Sequence, residues 1–88
     1  MPKISEFYGI AIRMFFNEEK YKKPHFHAYY GEHQIVVTID DLNIIEGDFP
    51  KQAKRMVLEW AGIHQKELAK NYEKMRARSH PEKIKPLE

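Results

Sequence analysis

Eighty-eight residues, 42 % of them hydrophobic and 12 % aromatic, suit one small globular domain rather than a disordered chain. At this size only about 60–65 % of the unfolded surface can be buried, so one small core is the ceiling. The chain has no cysteine, which excludes disulfides, thiolate zinc sites and cysteine nucleophiles. No apolar run approaches the ~20 residues of a membrane span, and Met-Pro-Lys-Ile is no signal peptide, so a cytoplasmic protein is expected. The net charge of +2 is uneven: residues 1–50 carry 5 Lys/Arg against 8 Asp/Glu, and residues 51–78 carry 8 against 3. A basic helical half beside an acidic half is compatible with phosphate or nucleic-acid contact, and equally with a solvated helix.

In chain order, residues 7–16 alternate as one strand, with Tyr8, Ile10, Ile12, Met14 and Phe16 on the more apolar face and Gly9, Ala11, Arg13 and Phe15 on the other. Asn17 to Lys23 reads as a loop closed by Pro24. A β-hairpin follows, because Gly31-Glu32 suits a two-residue turn whose first central position needs positive φ. That turn fixes the register, pairing Tyr30 with His33, Tyr29 with Gln34, Ala28 with Ile35, His27 with Val36, Phe26 with Val37 and His25 with Thr38. Directly opposed residues share a face. Phe26, Ala28, Tyr30, Ile35, Val37 and Ile39 therefore form the core face, and His25, His27, Tyr29, Gln34, Val36 and Thr38 the open one. A one-residue slip would reverse this.

Asp40-Asp41 is a turn, and residues 42–47 form a short further strand. A helix is predicted from about Pro50 to Arg78, stopped by Ser79-His80-Pro81. Phe49, Ala53, Met56, Val57, Trp60, Ala61, His64, Leu68 and Met75 lie on its apolar stripe, with Trp60 as the anchor. Gly62 should face solvent or permit a slight bend. Such a helix is ~40 Å long while six-residue strands span ~20 Å. Its far half therefore needs a cover: the tail Ile84-Lys85-Pro86-Leu87, a second copy or another protein. The predicted fold is α+β, a single domain over 1–88. A small antiparallel sheet of three to four strands (7–46) carries one long C-terminal helix (50–78) across one face, followed by a tail (79–88).

Several separated motifs resemble a known family. They are Met-Pro-Lys-Ile-Ser-Glu-Phe-Tyr-Gly-Ile, Pro-His-Phe-His followed by Tyr-Gly-Glu, Gly-Asp-Phe-Pro at the helix start, Glu-Trp-Ala with His64 and Glu67-Leu68 behind it, and Ile-Lys-Pro-Leu. In this order they resemble the small prokaryotic domain-of-unknown-function family 4160, over nearly the whole chain. Tyr29-Tyr30 is more aromatic than the family's usual version, and Tyr72 stands where tryptophan is frequent; neither disturbs the histidines. The resemblance implies a type II toxin–antitoxin module with this chain as the toxin. Its implied partner is a cognate antitoxin-like small protein of the domain-of-unknown-function family 2442 type.

Three groups of residues are candidates for function. His25, His27 and Tyr29, with Arg13 reaching them from the first strand, would suit a ribonuclease. Histidine ordinarily titrates near 6.5 and can move protons at neutral pH, while Arg13 would face the developing charge. Solvated surface histidines are the bland alternative. Trp60, His64, Glu67 and Asn71 share a helix side and are candidates for partner binding, or for a core histidine satisfied by Glu67. Lys51, Lys54 and Arg55 are candidates for nucleic-acid contact. His-x-His is a metal-ligand spacing, but His64 falls on the other side of the sheet, so neither a metal nor a cofactor is called for. The leading expectation is a toxin acting on RNA through the histidine face. The other is a non-enzymatic nucleic-acid-binding or regulatory module working with a partner protein. RNA or DNA is the expected ligand, no membrane is involved, and a homodimer is a further candidate.

Overall fold

The computed structural model describes residues 3–15 and 20–88. Among these, five strands form one antiparallel meander: β1 (Lys3–Phe7), β2 (Ile10–Arg13), β3 (His25–Tyr30), β4 (His33–Thr38) and β5 (Ile44–Asp48). Two helices follow, α1 (Lys51–Ile63) and α2 (Gln65–Arg76). The α+β class is as predicted, but the sheet has five strands rather than three to four, and the helical segment is divided.

The single strand expected over residues 7–16 is the first correction. The chain reverses at Tyr8-Gly9, where φ is 49° and 80°, and Phe7 pairs with Ile10. Positive φ at both central residues is the requirement of a two-residue I′ turn, whose twist matches that of its strands. Residues 3–7 thereby become a strand of their own. Tyr8, placed on the core face by alternation, is 60 % exposed at the turn. Ile10, Ile12 and Met14 do face the core. Phe16 at the end of the predicted strand, and residues 17–19 of the predicted loop, lie outside the described residues.

The β3–β4 hairpin has the predicted register at all six pairs, with Gly31 at φ 57°. Phe26, Ala28, Ile35, Val37 and Ile39 are buried in the main cluster beneath α1 and α2. β5 holds to β4 through an irregularity at Ile45, which keeps Ile44 opposite Val37 and Glu46 opposite Val36. Gly47 (φ 86°) approaches β4 so closely that a Cβ there would sit 2.0 Å from the Gln34 carbonyl oxygen.

Trp60 anchors the core as expected. It is fully buried, with ring centroids 5.4 Å from Phe7 and 5.9 Å from Phe26. Ala53, Val57, Ala61, Leu68 and Met75 complete the stripe. The second correction is a break at His64 (φ −110°, ψ 25°), which ends α1 and begins α2. Gln65 fastens the break to the end of β4, its Nε2 donating to the carbonyls of Ile39 (2.7 Å) and Asp40 (3.0 Å). Glu67 supplies an acid to the first turn of α2, where it complements the helix dipole. The break resolves the length mismatch, since the longest extent of the molecule is 33 Å against the ~40 Å of an unbroken helix. Arg78 ends α2 at φ 61°, with Ser79 N–H donating to Lys74 O and Arg78 N–H to Met75 O, a Schellman arrangement.

Of the three covers envisaged for the far half of the helix, the chain's own tail takes the place. Ile84 is buried and its N–H donates to Ile4 O, Trp60 Nε1 donates to Lys85 O, and Leu87 packs on the core. Buried Asn71 both donates to Glu82 O and accepts from Glu82 N–H. Lys74, by hydrogen bond and then by charge, and Lys70 hold the Glu82 carboxyl below its ordinary value of 4.5. A depressed carboxylate pKa stabilises the native state above the unfolded value and loses that contribution as pH falls through the native one. Protection factors for hydrogen exchange at Ile84 and the Trp60 indole, taken against the intrinsic rate at each pH, should therefore be level above about pH 4.5 and fall below it. Lys74→Gln should weaken that acid step, leaving only the share due to Lys70.

Candidate functional site

The site is built on the sheet face opposite the one that packs on Trp60 of α1. His25 and His27 stand two residues apart on β3, so both project from that face, with ring centroids 5.4 Å apart. Arg13 lies directly opposite His27 across the β2–β3 ladder, which puts it on the same face. Tyr29 is the next residue along, its ring parallel to His27 at 6.3 Å. The four residues expected to work together are thus neighbours.

The face is not open, and this is the third correction. His25 and His27 are only 3 % and 5 % exposed, and Val36 and Thr38 beside them are fully covered. Phe15 meets the His27 ring edge-on at 4.6 Å. Tyr21 meets His25 at 4.8 Å and His27 at 6.2 Å, and Tyr72 of α2 reaches His25 at 5.8 Å. The cover thus comes from both ends of the β2–β3 connection and from the second helix. The Tyr21 hydroxyl crosses to β5 and donates to Glu46 Oε2 at 2.6 Å. That bond to a carboxylate raises the Tyr21 pKa above its ordinary 10. Lys20 lies 3.8 Å from the other Glu46 oxygen and 5.4 Å over the Tyr21 ring.

One tautomer follows from the geometry. His25 Nδ1 is 2.8 Å from the Lys23 carbonyl oxygen, which can only accept, so Nδ1 carries a proton and Nε2 is the basic nitrogen of the neutral ring. Thr38, opposite His25, is engaged in the turn that follows β4: its hydroxyl donates to Asp41 and accepts from Asn43 N–H. Thr38, ahead of Lys23, holds the Asp41 carboxyl below its usual range.

The other candidates fall elsewhere. Trp60 and Asn71 are buried under the tail, so the stripe expected to be a partner groove is filled from within the chain. His64 packs on Trp60 on the helix side of the sheet, its Nδ1 2.6 Å from Glu67 Oε1. What stays open there is a cleft of about 230 Å³ lined by Glu67, Lys70, Asn71, Glu82, Lys83 and Ile84. Lys51 and Arg55 are exposed on α1, and half-buried Lys54 lies 3.8 Å from Asp48. Among the described residues no three metal-ligating side chains converge, and no helix is long and apolar enough to cross a membrane.

Tyr21, Glu46 and Tyr72 are the residues that sequence reasoning missed. A signal for them exists. Ile35-Val36-Val37 is a continuous apolar run, the mark of a strand buried on both faces, and Tyr21 is the only aromatic residue between Asn17 and Lys23.

Fold and site together define a small α+β domain whose sheet carries a helical layer on one face and an enclosed histidine pair on the other. Residues 9–73 match the family described as domain of unknown function (DUF4160), and the chain belongs to that family. No curated protein and no solved structure matches it.

Proposed function

We propose that this chain is the toxin half of a type II toxin–antitoxin module and acts on RNA through the His25/His27 face. The observation that carries this reading is the meeting of two imidazoles on one sheet face outside the main core, with Arg13 opposite His27 on the neighbouring strand. One imidazole takes the proton of a ribose 2′-hydroxyl as its oxygen attacks phosphorus. The other gives a proton to the departing 5′-oxygen, leaving a 2′,3′-cyclic phosphate and a 5′-hydroxyl. Arg13 balances the charge that builds on the phosphate oxygens, and Tyr29 stacks a neighbouring base. In this reading the protein works in the cytoplasm, and a small antitoxin of the domain-of-unknown-function family 2442 type neutralises it.

The burial of both histidines favours a second reading, a non-enzymatic nucleic-acid-binding or regulatory module that uses Lys51, Lys54 and Arg55. Growth arrest on expression and cleavage of a labelled RNA by purified protein separate the two. Substituting His25→Ala with His27→Ala should abolish arrest and lower cleavage by about 100-fold or more, with the fold checked by circular dichroism. Arrest that survives this double change but is lost on Lys51→Gln, Lys54→Gln and Arg55→Gln would end the ribonuclease reading in favour of the second.

A further inference from the structure

We propose that Tyr21 and Glu46 form an internal shutter, so that the histidine pair is closed in the free chain and opens when the Tyr21 hydroxyl leaves the Glu46 carboxylate. This rests on the reading of the pair as the RNA-directed site, and it adds how that site is regulated. Tyr21 belongs to the segment leading into β3, yet its hydroxyl is bonded to β5, two strands away. To make that bond its ring must cross over the pair, and it lies edge-on against both imidazoles.

The acceptor is held in place by backbone rather than by chance. Glu46 pairs with Val36, which pairs in turn with His27, so the three residues form one row across the face. The irregularity at Ile45 keeps Glu46 in that row while Ile44 stays opposite Val37, and the close approach of Gly47 to Gln34 fixes the strand beside it. By contrast the bond itself is light. Glu46 is half-exposed, and Lys20 is at hand to hold its carboxylate when Tyr21 lets go. A single side-chain hydrogen bond at a wet site changes an equilibrium by roughly five- to tenfold, enough to bias a closed state and too little to lock it. A substrate, or a partner that takes over the Tyr21 hydroxyl or the Glu46 carboxylate, would shift the balance.

The test is the rate at which diethyl pyrocarbonate modifies His25 and His27, read by peptide mass spectrometry. Exposed His33 on the adjoining strand serves as the internal standard. Tyr21→Phe keeps the ring and removes the donor, and should raise both rates about five- to tenfold relative to His33; Glu46→Gln should raise them less. Unchanged rates in Tyr21→Phe overturn the shutter. RNA cleavage measured on the same samples separates this proposal from the one it rests on. Faster modification without cleavage by either protein supports the shutter and removes the RNA reading. Cleavage by the unmodified protein with no change in modification removes the shutter and keeps the RNA reading.

Discussion

Trp60→Ala should leave the chain at or beyond the edge of unfolding at 25 °C. The indole is completely buried between the sheet and α1, against Phe7 and Phe26, so its removal forfeits the transfer energy of the largest side chain and leaves a cavity among its neighbours. Such changes cost about 3–5 kcal/mol. The Lys85 carbonyl also loses its donor, and a domain of this size holds only about 4–13 kcal/mol in all, at 0.05–0.15 kcal/mol per residue. Urea denaturation followed by far-ultraviolet circular dichroism should show a collapsed midpoint or no folded baseline. Trp60→Phe retains much of the volume and should cost about 1–3 kcal/mol, through the hydrogen bond and the smaller ring. Equal behaviour of the two variants would mean that the bond to the tail, and not burial, is what Trp60 contributes.

Gly47→Ala should be nearly as severe for a different reason. A Cβ at this position would lie 2.0 Å from the Gln34 carbonyl oxygen and 2.9 Å from its carbon, and both are backbone atoms that no rotamer change can move. The positive φ of 86° adds strain for any L side chain. β5 must shift away from β4, and the loss should be at least about 2–3 kcal/mol in the urea midpoint, within the range of backbone incompatibility. Gly31→Ala is the control. It has a positive φ of 57° but open space around the added atom, so it should lose only about 1 kcal/mol. A Gly47→Ala variant no worse than Gly31→Ala would remove the steric account. If β5 does shift, Glu46 moves with it, and diethyl pyrocarbonate should reach His25 and His27 faster than in the parent.

How much of this was legible depended on whether one local signal stood alone. Gly31-Glu32 sits between two clean strands, so turn chemistry alone set the β3–β4 register and placed both histidines on one face. Tyr8-Gly9 carries an equally good turn, but tyrosine favours strands and the apolar alternation runs through it, so the periodic signal hid the reversal. The break at His64 comes two residues after Gly62, a poor helix former that already allowed a slight bend there; tertiary anchoring by Gln65 turns the bend into a full break. The cover over the histidines was the least legible feature, because it depends on Tyr21 reaching a strand 25 residues away. Local patterns identify which side a residue faces, but not what a connecting segment lays over it.

The joint between Ile4 and Ile84 has a kinetic consequence. Every strand of the sheet pairs with its neighbour in sequence, so the meander can assemble from short-range hairpins. The hydrogen bond from Ile84 N–H to Ile4 O joins residues 80 positions apart, so it can form only after the sheet and both helices have brought the two ends together. That joint should be the last piece of the molecule to form and the first to come apart. Before the sheet itself melts, the native state should visit a peeled form with the tail lifted and the Trp60 stripe bare. Such a form would be sticky, open to proteases at residues 79–88, and rare at neutral pH only because many small contacts hold the tail down together.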